Sequence, residues 1–385
     1  MHPELVEGRT FWSGSGLARR RVLAGLDFGR NQGRNSQNRP RAEGWLGNLS
    51  VKSERLLRLG GDSEKKSTIS ARWGKASLVT QRLHEDEVHI DVGLVRELIR
   101  RQLPHLANLD VGLVAAPGTD NVVFRLGDEL SVRLPRKPAA VSGLLIEREW
   151  LPRLAADLPL AVPEPLATGE PSEIYPFPWL VCSWISGVPL APGRMNPDDG
   201  LVLAEFVLAL ESLDTSGGPQ VQPGRRAGPV AAYDMTARAA LNAARALQTT
   251  GRIEPDLFDA ERAASVWAAA VRAPEWQGTD VWVHRDFMAS NLVTLDGRLN
   301  GVLDFGGLAV GDPAGNAMAA FHVFSAADSR SRFRAALGTD DATWARARGW
   351  ALTQGLEALV YYLDSHPGMV AMARQVIMAT LESSD

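Results

Sequence analysis

At 385 residues, with 45% apolar residues and 11 Trp, the chain is long enough for two lobes built on substantial cores. Its single cysteine, Cys182, excludes an internal disulfide framework and suits a reducing, cytoplasmic compartment, and no apolar run reaches the length of a membrane span. The net charge of −4 hides an asymmetry: residues 1–83 carry 16 Lys+Arg against 7 Asp+Glu, while the remaining 302 carry 25 against 38, an acidic body that disfavours nucleic acid and favours a cationic small molecule.

Residues 1–83 are polar and basic, with runs such as GRNQGRNSQNRPR and little periodicity. They are expected to be a disordered extension, or upstream sequence carried in by a misplaced start. A targeting peptide is disfavoured by Glu4, Glu7 and the lack of an apolar core; a nucleic-acid-binding arm is the other reading. Organised sequence begins near His84. Apolar residues at 92, 95, 98, 99 and 103 predict a helix over 91–103, with Asp91 as its cap. Two strands follow, 121–126 and 129–134, joined across Gly127-Asp128 and preceded by the turn Pro117-Gly118-Thr119-Asp120. In the second strand Leu130, Val132 and Leu134 share one face, Ser131 and Arg133 the other. A helix over 141–158 and a buried strand over 179–185 come next. Ser186-Gly187-Val188-Pro189 then breaks the pattern as a linker. Helical composition fills 201–213, 231–247, 255–272, 314–325, 343–365 and 369–381.

The stretch 281–306, VWVHRDFMASNLVTLDGRLNGVLDFG, is the one β insertion among these helices. Asp296-Gly297 between apolar runs signals a hairpin, because both turn positions require φ > 0. With Leu295 opposite Arg298, Asn291 falls opposite Val302, and Asp304 lies two residues further on the same face. Asn291 and Asp304 are then diagonal neighbours, roughly 7–8 Å apart at the backbone, with Asp286 in the loop before them. Amide and carboxylate oxygens without soft ligands suit Mg²⁺ rather than zinc. A carboxylate beside that ion can orient or deprotonate a hydroxyl, so the parts describe metal-assisted phosphoryl transfer.

His284-Arg285-Asp286 with Asn291 five residues on, followed by Asp304-Phe305-Gly306, resembles the catalytic loop and metal-binding motif of protein-kinase-like enzymes. The tail Gly311-Asp312-Pro313-Ala314, the run Val132-Arg133-Leu134-Pro135-Arg136 and the segment at Pro176 to Trp179 are similar to the aminoglycoside phosphotransferase family. The resemblance covers about residue 84 to the end and none of 1–83. It implies an α+β, bilobal protein-kinase-like fold, with a β-rich N-lobe over 84–187 that ends in a hinge and a helical C-lobe over 188–385. It implies Asp286 as catalytic base, Asn291 and Asp304 holding Mg²⁺ on the phosphates of ATP or GTP, and His284 and Asp312 as supports of the site. Ser131 and Arg133 would face the nucleotide, with Glu147 as the partner of Arg133 and Glu149 as the rival for that place. Gly118, Thr119, Asp120 and Asn121 would cover the phosphates, and the strand carrying Ser183 and Ile185 would meet the base through its backbone. The acceptor implied is a hydroxyl of an aminoglycoside-like molecule, an antibiotic-resistance chemistry. Asp340, Asp341, Glu357 and Asp364 could meet its amines, although each taken singly reads more readily as a solvated helical carboxylate.

Three departures from the family pattern stand out. Arg133 replaces the usual Lys, keeping the charge with a wider fork. No G-x-G-x-x-G covers the phosphates. Asn316 stands where the family has Asp, and is expected to support the catalytic loop with fewer charge-assisted bonds. Four alternatives therefore remain open: a macrolide kinase, a choline-like metabolite kinase, a nucleotide-binding pseudokinase, and a metal hydrolase using His284, Asp286, Asp304 and His322. The last is weakened because His322 reads as a packed helical His and the other histidines are scattered.

Overall fold

The computed structural model describes residues 87–114 and 120–382, all within one unit that spans Ser50–Asp385. The expected extension over 1–83 and the phosphate-covering residues Gly118 and Thr119 lie outside the described residues. Helix α1 (Val92–Gln102) starts at Asp91, whose Oδ1 accepts from Leu94 N at 2.8 Å, and it buries Val95, Leu98 and Ile99. Five strands then form an antiparallel sheet in the order β1-β2-β3-β5-β4: β1 (Val111–Leu113), β2 (Asn121–Leu126), β3 (Leu130–Pro135), β4 (Pro165–Gly169) and β5 (Trp179–Ser183). Leu130, Val132 and Leu134 pack with the α1 residues in one core, as the alternation along β3 predicts. Ser131 and Arg133 pair across to Cys182 and Leu180. That face receives α2 (Val141–Leu154), whose Leu144 clusters with Leu180 and Cys182.

After β5 the chain does more than link. Val188–Pro189 forms β6 and pairs with the later hairpin, a pairing that local sequence, read as a linker, does not disclose. The helices are α3 (Pro197–Glu211), α4 (Asp234–Thr249), α5 (Ala260–Arg272), α6 (Ala314–Ala317), α7 (Ala319–Val323), α8 (Ala327–Leu337), α9 (Asp341–Tyr362) and α10 (Pro367–Glu382). The predicted helix over 314–325 is thus two short ones that meet at Met318. Aromatic residues knit this part together: Trp150 lies 4.8 Å from Trp282, and Trp350 packs on Tyr233 and Trp267. Trp350 is fully buried, and truncating such a side chain costs about 3–5 kcal/mol. Among the described residues no helix is long and apolar enough to cross a membrane.

The hairpin consists of β8 (Leu292–Leu295) and β9 (Arg298–Val302), preceded by β7 (Val281–Val283), which pairs with β10 (Ala309–Gly311). Asp296 and Gly297 have φ of 53° and 77°, the left-handed turn the sequence predicts. Leu295 pairs with Arg298 as expected, but the register slips between Val293 and Thr294, so Leu292 rather than Asn291 faces Val302. The extra residue is Asn300, and its cause is tertiary. The Asn300 carbonyl accepts from Ala161 N at 3.2 Å, Val302 N donates to Ala161 O at 2.9 Å, and the Asn300 amide donates to Ser186 O. Gly301 passes so close that a Cβ there would lie 2.7 Å from Ile185 and 2.8 Å from Ala161 O. The bulge lets β9 use both edges at once.

Candidate active site

The loop after β7 is fixed by His284, which is fully buried. Its Nε2 donates to Leu303 O at 2.9 Å, which leaves Nδ1 to accept from Asp286 N at 3.2 Å. Burial holds the imidazole neutral, pushing its pKa down to about 4 against the pull of Asp286. The ring stacks on Phe287 at 4.3 Å and meets the edge of Phe305 at 4.6 Å, so one side chain ties the loop to the segment after β9. Arg285 adopts φ 65° and donates to Gly307 O at 2.6 Å. The result presents Asp286 with its carboxylate held from two sides. Asn291 Nδ2 donates to Oδ2 at 3.0 Å, and Gln354 Nε2 of α9 donates to Oδ1 at 2.9 Å. Arg226 Nη1 stands 4.0 Å from Oδ1.

Across the cleft, Asp304 sits in the left-handed region at φ 62°. Arg133 Nη1 lies 2.9 Å from Glu147 Oε1, and its Nη2 lies 3.8 Å from Asp304 Oδ1. Glu147 Oε1 also accepts from Phe305 N at 2.8 Å. Burial opposes charge on Arg133, but Glu147 and Asp304 outweigh it and hold the guanidinium protonated. Burial likewise pushes the Glu147 carboxyl up, to about 7, against the pull of Arg133. Two glycines permit this closeness: a Cβ on Gly143 of α2 would lie 3.1 Å from both Cα and O of Gly306. Asp304 is 43% exposed to the cleft. Surrounding protein still pushes its carboxyl up, with Asp286 and Asp120 adding repulsion that Arg133 partly offsets.

The donors fit a hard dication. Asn291 spends its Nδ2 on the main-chain and side-chain oxygens of Asp286, which turns its Oδ1 away from that carboxylate, and the mutual repulsion of Asp286 and Asp304 is what a cation would relieve. Among the described residues no group of three or more His, Cys, Asp and Glu could hold a metal ion. Two protein ligands suit an ion that completes its shell with phosphate and water.

Asn316 supports the loop differently from the expectation of fewer bonds. Its Oδ1 accepts from His284 N, and its Nδ2 donates to both Trp282 O and Glu211 Oε1, each at 2.9 Å. The carboxylate is thus supplied by α3, where burial raises Glu211 to about 7. Asp312 is buried and held by Arg346, Oδ2 to Nε at 2.6 Å and Oδ1 to Nη2 at 3.1 Å, and its Oδ1 accepts from Ala314 N, the first residue of α6.

The remaining predicted residues separate. Ser131 is buried, with its hydroxyl 3.5 Å from Cys182 O. Asp120 lies 3.6 Å from Lys137, and Asn121 opens β2. Ser183 Oγ accepts from Glu164 N, while Ile185 packs on the hairpin. Glu149 pairs with Arg153 at the surface, which leaves Glu147 as the partner of Arg133. Asp340 caps α9 through Thr343 N, Asp341 pairs with Arg334, and Asp364 with Arg252. Glu357 differs from the other three: it accepts from Tyr233 Oη and lies one helical turn beyond Gln354, the residue that bonds Asp286. Sequence reading missed Gln354, Arg226, Tyr233 and Glu211. Gln354 was within reach, because it shares a helical face with Glu357. A cavity of about 230 Å³ lined by Gln220, Val230, Trp276, Asp312 and Arg346 includes none of Asp286, Asn291 and Asp304.

A family model described as "Phosphotransferase enzyme family" matches residues 112–350. No curated protein sequence matches the chain. Among solved structures, the GDP and kanamycin complex of APH(2")-IIia is 16% identical with a TM-score of 0.55, covering 74% of this chain and 97% of that one. The GDP complex of wild-type aminoglycoside 2'-phosphotransferase-IIIa is 15% identical with a TM-score of 0.55, with coverage of 74% and 97%. The gentamicin-APH(2")-IIa complex is 16% identical with a TM-score of 0.50, with coverage of 77% and 98%. These likenesses establish the two-lobed, kinase-like α+β fold.

Proposed function

The chain belongs to the phosphotransferase enzyme family, and from that premise we propose that it is a small-molecule kinase, moving the γ-phosphoryl group of ATP or GTP onto a hydroxyl of an aminoglycoside-like acceptor. The observation that carries this reading is the posture of Asp286, held by Asn291 and Gln354 and facing Asp304 across the cleft. Asp286 is assigned as the base that orients the acceptor hydroxyl and takes its proton as the oxygen attacks phosphorus. Asn291 Oδ1 and Asp304 are assigned as the ligands of Mg²⁺, which supplies charge neutralisation on the phosphates. Arg133, anchored by Glu147, reaches toward the same phosphates, and Arg is always charged there. The backbone of 183–185 is placed against the base, with Ser131, Asp120 and Asn121 around the nucleotide. In this scheme 84–187 is the nucleotide lobe and 188–385 the catalytic and acceptor lobe. Glu357 is the carboxylate assigned to an acceptor amine. Asp340, Asp341 and Asp364 are not carried forward, because capping and surface ion pairs occupy them.

The test is release of ADP or GDP with Mg²⁺ and a panel of aminoglycosides, macrolides and choline, run beside Asp286→Ala. Acceptor-dependent release that falls by about 10²–10⁴-fold in the variant, with nucleotide affinity kept, supports the proposal. Turnover that survives Asp286→Ala sinks it. Nucleotide binding without turnover on any acceptor would make the chain a nucleotide-binding pseudokinase instead.

A further inference from the structure

Arg226, on the segment between α3 and α4, stands beside the catalytic base with its donors free. Its Nη1 lies 4.0 Å from Asp286 Oδ1, beyond hydrogen-bonding distance, and among the described residues the guanidinium donates no hydrogen bond. It is 34% exposed, next to an Asp286 side chain that is 27% exposed. The backbone that carries it is tied to the catalytic loop and its surroundings. Arg226 O accepts from Arg285 Nη1 at 3.5 Å, and Ala227 O accepts from Asp312 N at 3.1 Å. Ala227 is buried with Val283 of β7 and Ala309 of β10, and it holds a left-handed φ of 67° that a residue with a side chain adopts only under constraint. Gly311 leaves room for it, since a Cβ there would lie 2.8 Å from Ala227 O. A fixed main chain therefore brings the guanidinium to the Oδ1 edge of Asp286, the edge that Gln354 holds.

Charge at this point is out of balance. Burial, then Arg226 and Arg225, push Arg285 down to about 10, and Asp286 pulls the other way. An anion brought up to Asp286 would relieve that repulsion. The loop between Asp286 and Asn291, Phe287-Met288-Ala289-Ser290, supplies no cation of its own. An acceptor hydroxyl in reach of Asp286 lies about 2.6–3.2 Å from the carboxylate, and the phosphorus it attacks lies about 3–3.5 Å further on. The phosphoryl oxygens thus arrive beside the base, where a guanidinium 4.0 Å away can turn to them without breaking a hydrogen bond. For the amines of an acceptor, a cation at this place is only repulsive. The anion that every acceptor meets here is the phosphoryl group.

We propose that Arg226 is a further catalytic residue, its guanidinium donating to the equatorial oxygens of the phosphoryl group during transfer. The proposal rests on the kinase reading. In the step, the acceptor oxygen forms its bond to the γ-phosphorus as the bond from that phosphorus to the β,γ-bridging oxygen breaks. The electron pair of the broken bond leaves on ADP or GDP, and the hydroxyl proton goes to Asp286. Arg226 stays protonated throughout, and its donors meet the charge that spreads over the equatorial oxygens. As the proton neutralises Asp286, the guanidinium loses the carboxylate it faced, and its attraction to the phosphoryl oxygens is no longer shared.

Calorimetry of ADP and GDP binding with Mg²⁺, with and without aluminium fluoride, tests this apart from turnover, because the fluoride complex mimics the phosphoryl group in transfer. The variants are Arg226→Gln and Arg226→Lys in the full chain, and unchanged affinity for ADP or GDP alone shows that each has kept its fold. Wild type should bind nucleotide more tightly with fluoride. Arg226→Gln should lose about 10–100-fold of that gain, the strength of one hydrogen bond between charged groups, with Arg226→Lys in between. Should Arg226→Gln lose nucleotide affinity altogether, Arg226→Lys against wild type decides. In transfer assays kcat should fall by a similar factor, with KM for nucleotide and for acceptor unchanged. A fluoride gain that is equal in wild type and Arg226→Gln overturns the proposal and leaves the kinase reading standing. A raised acceptor KM at unchanged kcat overturns it too, and would assign Arg226 to an acidic group on the acceptor. So does wild type that binds nucleotide and gains nothing from fluoride. Wild type that binds neither ADP nor GDP removes the kinase reading and this proposal with it.

Discussion

Replacing Glu211 by Gln isolates the electrostatic cost of the support under the catalytic loop. Glu211 Oε1 accepts from Asn316 Nδ2 at 2.9 Å at the end of α3. Burial raises its carboxyl from 4.5 to about 7; Asn316 pulls it back and Asp312 pushes it further. A folded-state value above the unfolded one means the protonated form is favoured in the fold. Its contribution to stability is therefore complete below about 4.5 and lost as pH rises through about 7. At 1.36 kcal/mol per unit, the window from pH 5.5 to pH 8 covers about 2 kcal/mol. Gln keeps the accepting oxygen and does not titrate. The stability difference between wild type and Glu211→Gln should thus change by about 2 kcal/mol across that window, wild type losing ground as pH rises. Urea unfolding of both proteins at matched pH measures it, and titrating groups that do not interact with Glu211 cancel in the difference. A difference that stays flat within about 0.5 kcal/mol, the ordinary spread of a surface substitution, or that slopes the other way, refutes the reasoning.

Asn316→Asp should destabilise by about 2–3 kcal/mol at pH 8, because Trp282 O and Glu211 Oε1 lose their donor and two carboxylates then face each other. Thermal unfolding should show the loss easing below about pH 6, as the pair comes to share a proton, and easing in part in the double variant with Glu211→Gln. Gly143→Ala should cost about 1–3 kcal/mol by overpacking, since the new methyl would lie 3.1 Å from Gly306. It should also weaken ATP binding, measured by calorimetry, as α2 draws Glu147 off Arg133. Gly112→Ala, with nothing within 4 Å of its new methyl, is the control that should change neither.

What could be read from the sequence was whatever short range decides. The Asp296-Gly297 turn needs two left-handed residues in a row and has them. The alternation in β3 sorts Arg133 from Val132 whatever packs on either face. Register was different, because the slip at Val293/Thr294 is imposed by Ala161, more than 130 residues earlier in the chain. Strands of three residues such as β1, β7 and β10 exist only through their partners and carry no pattern of their own. Asp340 could have been read as a cap, standing before a helix with Thr343 three residues on. Net acidity instead drew attention to it as a ligand. Arg226 reaches Asp286 from a distant segment that no spacing rule connects to it, and Gln354 is reached only by way of Glu357, one helical turn away on the same face.

The Glu211–Asn316 arrangement also restricts how such a chain can evolve. A protein with Asp at 316 and a neutral residue at 211 would carry the negative charge on the loop side; this one carries it on the helix side. Moving between the two by single substitutions passes through an intermediate with either two facing carboxylates or none. The first is penalised by repulsion, and the second gives up the charged acceptor beneath the loop. Exchange at these positions is therefore expected to be paired in descent. A homologue with Asp at 316 should lack an acidic side chain at 211, and grafting either residue alone between such homologues should fail where grafting both succeeds.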